Sequence, residues 1–308
     1  MDFDFNDEQQ LLVSSLQGLF HNYAEIPPAG RGETSWFSAD LQRRLVQGGF
    51  FDTARQVGTL EAAIVVMEAA RLPVVVETGA SALVAPMLLD EPLEGPVALL
   101  SGDLSKAQRL LPVAKTALVD LGDDVVVLEV EPADVEPVET MLAYPYGRFR
   151  TPPDLAKGRR LGAGAVEPLR QWSRVALAAE CAGAAQSAVE FTVAYVKDRK
   201  AFGQPIGSFQ AVQHRLAQCH QIMRALRYNV LQAAWTREPV RADMAAAYAQ
   251  MHIQKLVFDL HQFNGAIGLT TEHKLHYWTF RLRALQPEAG GGDASALAVA
   301  DKLWGAAA

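Results

Sequence analysis

Cysteine is nearly missing from this sequence: its 308 residues include two, Cys181 and Cys219. Two thiols in separate helix-patterned stretches build neither a disulfide framework nor a cysteine-based zinc site, and a reducing cytosol is the expected compartment. An excess of positive charge is missing as well. Lys and Arg number 28 against 35 Asp and Glu, a net charge of -7. No global positive field is available to hold a polyanion by counterion release, so nucleic acid is not an expected partner. The opening Met1-Asp2-Phe3-Asp4-Phe5 has neither the basic nor the apolar stretch of a secretory signal. No apolar run reaches the roughly eighteen residues of a spanning helix, and the expected protein stays in solution. What remains is the balance of a globular chain, 50% apolar and 20% charged, long enough for about two ordinary domains.

The local patterns predict a mainly α fold in three parts. Residues 1–91 read as an N-terminal helical domain, in which Asn6 caps a run with Leu12, Leu16, Leu19 and Phe20 at helical spacing, and Ser38 and Thr59 precede further runs. Ile26-Pro27-Pro28-Ala29-Gly30 separates the first two. Residues 92–164 read as a reduced β middle domain, because Val97-Ala98-Leu99-Leu100 and Val125-Val126-Val127-Leu128 with Val130 are short apolar blocks flanked by Pro96, Gly102 and Gly122-Asp123-Asp124. Residues 165–308 read as a helical bundle. Its first helix runs from Glu167-Pro168 to about Lys197, the second from Ser208 to Thr236 and the third from Val240 to about Phe263. Shorter ones cover Glu272 to Leu285 and Ala294 to Trp304. Ala178, Ala179, Ala182, Gly183, Ala184 and Ala185 would let a neighbour approach the first closely.

One connection carries chemistry. Tyr195-Val196-Lys197-Asp198-Arg199-Lys200-Ala201-Phe202-Gly203-Gln204-Pro205 ends a helix in a basic turn, with Ser208 as the expected cap of the next. A guanidinium, an aromatic face and free helix-terminal amides in one loop suit a diphosphate joined to a planar ring. A plain helix hairpin satisfies the same residues, with the cations favouring the helix end and glycine and proline making the turn. Histidine spacing offers no metal site: His214 and His220 do not share a helix face, and His273 and His276 do but have no third ligand.

Arg199-x-x-Phe202-Gly203-x-Pro205-Ile206 followed by Phe209-Gln210-x-x-x-His214-x-x-Ala217 resembles the signature of the acyl-CoA dehydrogenase family. Arg174, Ala178, Ala179 and Gly183 fit the family's long helix. Gln262-Phe263-Asn264-Gly265-Ala266-Ile267-Gly268 resembles its second cofactor segment, where glycine lets backbone approach a flat ligand and glutamine both donates and accepts. Met1-Asp2-Phe3-x-Phe5-x-x-Glu8-Gln9 is also typical. The resemblance implies FAD as cofactor, bound by Arg199, Phe202, Gln210, Gln262 and Gly265, and an acyl-CoA substrate near Arg174. Ala201 and Ala266 depart from the family, standing where a hydroxyl residue and a glycine are usual.

The implied reaction is α,β-dehydrogenation of an acyl-CoA thioester, in which a carboxylate removes the α-proton and the β-hydrogen leaves as hydride. Family members place that base in one of two positions. One opens a Glu-Gly-Thr run, and the matching stretch is Pro287-Glu288-Ala289-Gly290-Gly291, which makes Glu288 the candidate base. The other lies just before the residue matching Arg174, and here it is Ser173. The hydroxyl-bearing segments of the family's β-domain have no match between Ala85 and Leu161. Such a chain resembles the short subunit of heteromeric α2β2 acyl-CoA dehydrogenases of sterol side-chain degradation, in which unlike subunits share each FAD. Two functions follow from that likeness: a dehydrogenase subunit acting on a bulky acyl-CoA such as that of a steroid side chain, or a catalytically silent subunit that completes a partner's FAD site. Expected partners are a homologous subunit in a hetero- or homo-oligomer and an electron-transferring flavoprotein. A related flavin oxidase or monooxygenase is a third reading, marked by dependence on oxygen.

Overall fold

The computed structural model describes residues 4–27, 33 and 35–305. Met1, Asp2 and Phe3 of the opening motif, and Pro28, Ala29 and Gly30 of the first separator, lie outside them.

Helix α1 (Asp7–Phe20) starts where Asn6 accepts from the Gln9 amide at 2.8 Å while the Gln9 side chain accepts from the Asn6 amide at 3.2 Å, a reciprocal capping box. Helices α2 (Ala39–Gln47), α3 (Thr53–Gln56) and α4 (Thr59–Ala70) follow, then a π turn (Ala80–Val84) running into α5 (Ala85–Leu88). Ser38 caps α2 through the Leu41 amide. Thr59 does not cap: it is the first residue of α4, and its hydroxyl donates instead to the carbonyl of Ala234 at 2.7 Å.

The middle of the chain forms two small sheets. Strands β1 (Val97–Ser101) and β3 (Thr116–Asp120) run parallel, and β4 (Val125–Glu129) joins β3 antiparallel, with β7 (Arg159–Arg160) beside β4. Strand β2 (Gln108–Arg109) pairs with β6 (Tyr146–Phe149), which pairs with β5 (Val135–Val138). The two apolar blocks expected as strands are β1 and β4. Strand β3 lies between them in the sheet and was not expected. Ala98, Leu100, Ala117, Val119, Val126 and Phe149 fill the space between the sheets.

The bundle comprises α6 (Val166–Asp198), α7 (Gln210–Thr236), α8 (Pro239–Asn264), α9 (Leu275–Leu285) and α10 (Gly291–Trp304), with a hairpin of β8 (Lys200–Ala201) and β9 (Gln204–Pro205) between α6 and α7. The 33-residue α6 is its axis. One apolar core runs from α4 and α5 through α6 to α7, α8 and α9. Gly183 permits the closest approach, since a Cβ built there would stand 2.0 Å from the carbonyl oxygen of Met67 on α4. Ser208 does not cap α7. Its hydroxyl donates to the carbonyl of Pro205 at 2.7 Å, it sits in a 3-10 turn, and the helix begins two residues later. α9 starts three residues later than expected and α10 three residues earlier. No helix among the described residues is long and apolar enough to cross a membrane.

Candidate functional site

Arg199 closes the first candidate region. It is the C-cap of α6, with its amide bonded to Tyr195 and its carbonyl receiving the Ile206 amide, both at 2.8 Å. The backbone then reverses in the β8–β9 hairpin, whose two turn residues, Phe202 (φ 53°) and Gly203 (φ 82°), both lie in the left-handed region. Glycine takes that conformation freely, whereas an aromatic residue there is strained by about 1–2 kcal/mol. The strain throws the Phe202 ring outward, 93% exposed, with its edge toward Phe209.

Behind the hairpin, Tyr195, Arg199, Ile206 and the 263–267 turn line a cleft of about 290 Å³. Arg199 is exposed and its guanidinium pairs with none of the described residues. Gly265 (φ 64°) has open space where a side chain would stand. Asn264 donates to Thr192 at 2.9 Å and to the Leu260 carbonyl, and its buried Oδ1 has no partner. Two of the expected cofactor residues, Arg199 and Gly265, thus share one cleft. Phe202, Gln210 and Gln262 are exposed and line no part of it.

The free guanidinium suits a diphosphate, the orphaned Asn264 Oδ1 suits an N–H or O–H of a nucleotide, and the open backbone allows close approach of a flat ring, so the residues present fit FAD. Sequence reasoning missed Asn264, although a buried amide beside a glycine turn is a readable signal. Beneath the turn, His261 donates from Nδ1 to the Gly268 carbonyl at 2.9 Å, and its Nε2 lies 3.0 Å from the Thr279 hydroxyl. Burial holds His261 and His273 below the ordinary imidazole value.

The second region is a cleft of about 520 Å³ between β1, β2, the first half of α6 and the turn after α9. Ser173, Arg174 and Glu288 all face it. Arg174 Nη1 lies 2.7 Å from Asp243 Oδ1 in an ion pair too bent for a good hydrogen bond, and its buried Nε has no partner. Asp243 is also held by Lys302 of α10 at 2.7 Å.

Glu288 is not free in the cleft. Arg109 donates from Nε and Nη2 to its two carboxylate oxygens, at 2.6 and 3.0 Å, and from Nη1 to Glu180 at 2.9 Å. Tyr144 donates to the same Glu180 oxygen at 2.7 Å, and the guanidinium lies 4.7 Å from the centre of the Tyr144 ring. Burial works against the charge of Arg109, yet the negative charges of Glu180 and Glu288 prevail and hold it above its ordinary value. Burial, with the charge of Glu288 added, pushes the Tyr146 phenol up to about 12. Neither Arg109 nor Glu180 lies in a motif that the sequence marks as functional. Glu180 stands alone among Leu177, Ala178, Ala179, Cys181 and Ala182, and a lone acid on an apolar helix face signals a buried charge that needs a partner.

Residues 162–303 match the family model described as acyl-CoA dehydrogenase, C-terminal domain. Over those residues the C-terminal bundle is similar to the acyl-CoA dehydrogenase C-terminal domain. The acyl-CoA dehydrogenase IpdE2 of Mycobacterium tuberculosis is 38% identical over 104 residues, which are 34% of this chain and 33% of that protein. The chain thus aligns with about a third of the length of that relative. Among solved structures, the ChsE4-ChsE5 complex of Mycobacterium tuberculosis matches with a TM-score of 0.76 at 19% identity, covering 98% of this chain and 99% of that one. The Tcur3481-Tcur3483 steroid ACAD G363A variant matches with a TM-score of 0.77 at 22% identity, covering 98% and 99%. The whole chain therefore has the acyl-CoA dehydrogenase fold, including its small middle sheets.

Proposed function

We propose that this chain is a subunit of an FAD-dependent acyl-CoA dehydrogenase formed with an unlike, homologous subunit, and that its part is to complete the partner's flavin site. The observation that carries this reading is the separation of the two regions along one helix. Arg174, in the acyl cleft, and Arg199, in the nucleotide cleft, stand about 38 Å apart along α6 at 1.5 Å per residue. Hydride passes only between atoms about 3–3.5 Å apart. Arg199 would therefore hold a flavin that serves another chain's cleft.

FAD, when bound, supplies the hydride acceptor. Toward it, Arg199 would neutralise the diphosphate, Asn264 Oδ1 would receive a donor, and the Gly265 turn would let backbone approach a flat ring. Phe202 would cover an aromatic face, with Gln210 and Gln262 meeting the cofactor where subunits join. Ser173 offers no base, and Glu288 has both oxygens occupied. The partner's carboxylate would then remove the α-proton. The two-component names of the solved ChsE4-ChsE5 complex and Tcur3481-Tcur3483 steroid ACAD support a heteromer, and the second supports a steroid acyl-CoA as substrate; an electron-transferring flavoprotein would be the oxidant.

Expression with and without the homologous genomic neighbour tests the reading through flavin absorbance and complex mass. Yellow protein should require both chains, and Arg199→Ala should weaken FAD retention by roughly tenfold or more, the worth of a charged hydrogen bond. A yellow homo-oligomer of this chain alone, bleached by acyl-CoA, would overturn it. A second reading, Glu288 as the base, is favoured by its place in the same cleft as Arg174. It fails if Glu288→Gln in the complex bleaches flavin with acyl-CoA as fast as the parent.

A further inference from the structure

We propose that Arg109 is a resident plug of this chain's own acyl cleft, occupying the place at Glu288 that a thioester would take. The inference depends on the reading above only for where the acyl cleft lies. Arg109 comes from the two-residue strand β2, which the sheet β2-β6-β5 holds over the first half of α6. Its guanidinium donates three hydrogen bonds to two carboxylates that belong to α6 and to the turn after α9. Each oxygen of Glu288 thereby gives one of its lone pairs to an N–H of Arg109, and the guanidinium stands beside the carboxylate where a substrate would approach it.

The partner carboxylate is held as firmly as the plug. Ala289 (φ 53°), Gly290 (φ 86°) and Gly291 (φ 77°) form a left-handed turn that aims the Glu288 side chain toward Arg109. The Glu288 carbonyl accepts from Gln250 at 2.7 Å. Glu180 is confined from the other side, since a Cβ at Gly79 would meet its Oε1 at 2.9 Å, and it holds both the Tyr144 hydroxyl and the second bond from Arg109. Swinging Arg109 away strands the buried Glu180 and the partly buried Glu288, which suppresses the open form on the order of 100-fold or more. A thioester has no comparable charge to offer Glu288 in exchange. The cleft is therefore shaped like an acyl site and filled by the protein's own cation.

The test is uptake of octanoyl-CoA by the full chain, in its complex where one purifies, read by calorimetry as molecules bound per copy. The parent should bind none attributable to this chain. The variant Arg109→Met/Glu288→Gln removes the plug together with the charge nearest it and leaves Glu180 with Tyr144, so it should gain one site per copy, with affinity at least tenfold above the parent. A folded variant, checked by circular dichroism, that takes up no more octanoyl-CoA than the parent overturns the plug. Should the variant not fold, the parent decides: one octanoyl-CoA per copy of this chain with Arg109 in place overturns it, and none supports it. Flavin content enters neither outcome, so loss of the cofactor reading and loss of the plug are told apart.

Discussion

Arg109 and Glu288, 179 positions apart in the chain, meet through two parallel hydrogen bonds of 2.6 and 3.0 Å. The pair ties the middle sheets to the turn between α9 and α10, and Glu180 extends the tie to α6.

Arg109→Ala should destabilise the protein by about 3 kcal/mol, because it leaves the buried Glu180 and the partly buried Glu288 without their cation. Arg148→Ala removes an exposed pair with Glu136, whose side chains are 53% and 43% accessible, and should cost no more than about 1 kcal/mol. Urea unfolding of both variants checks the contrast. Equal midpoints would contradict a buried clamp.

Ala289→Gly should stabilise by about 0.5–1 kcal/mol. Alanine at φ 53° pays a left-handed penalty that glycine avoids, and the greater freedom of glycine in the unfolded chain offsets part of the gain. It is also the position where the family usually has glycine. A raised urea midpoint is the expected result, and a lowered one would show the turn to be unstrained.

Gly183→Ala should be poorly tolerated. The new methyl would stand 2.0 Å from the Met67 carbonyl, where backbone cannot yield without parting α4 from α6. Overpacking of this kind costs about 1–3 kcal/mol or more. Ala185→Gly, on the same buried helix, is the comparison: it makes a small void instead of a clash and should cost only about 1 kcal/mol. Thermal unfolding of the two distinguishes crowding from propensity.

Stability should fall as the solution is acidified below neutrality. Burial chiefly holds His261 and His273 down, with nearby imidazoles adding to it. Their folded values lie below about 6.5, the value in the unfolded chain. Below that pH the unfolded chain takes up protons that the native protein refuses, so stability present above about pH 6.5 is lost as pH falls toward the folded values. The Tm should drop between about pH 7.5 and 5.5, and His273→Leu should flatten the drop. An unchanged slope in that variant would remove His273 from the account.

Local signals carried much of this fold. Asn6 and Gln9 specify a helix start within one turn of chain, and prolines at 168 and 205 bracket α6, so these elements are readable without tertiary knowledge. Strand β3 was not readable in that way, because Thr116–Asp120 gains its place from a parallel neighbour, not from a turn. Ser208 misled for a related reason: a hydroxyl before a helix has several acceptors within reach, and the Pro205 carbonyl won. At the site, Arg199 and Gly265 were legible because each sits in a contiguous motif. Arg109, Glu180 and Tyr144 come from β2, α6 and the loop before β6, and no spacing along the chain announces that they meet.

Strand β7 bears on how the middle sheet meets other molecules. It is two residues long, both are exposed arginines, and each is tied to an acid, Arg159 to Glu91 and Arg160 to Asp124 at 2.8 Å. A border so short and so charged offers an incoming strand almost no ladder of free amides and carbonyls to extend. At that side of the sheet, strand addition is closed both to a partner and to aggregation.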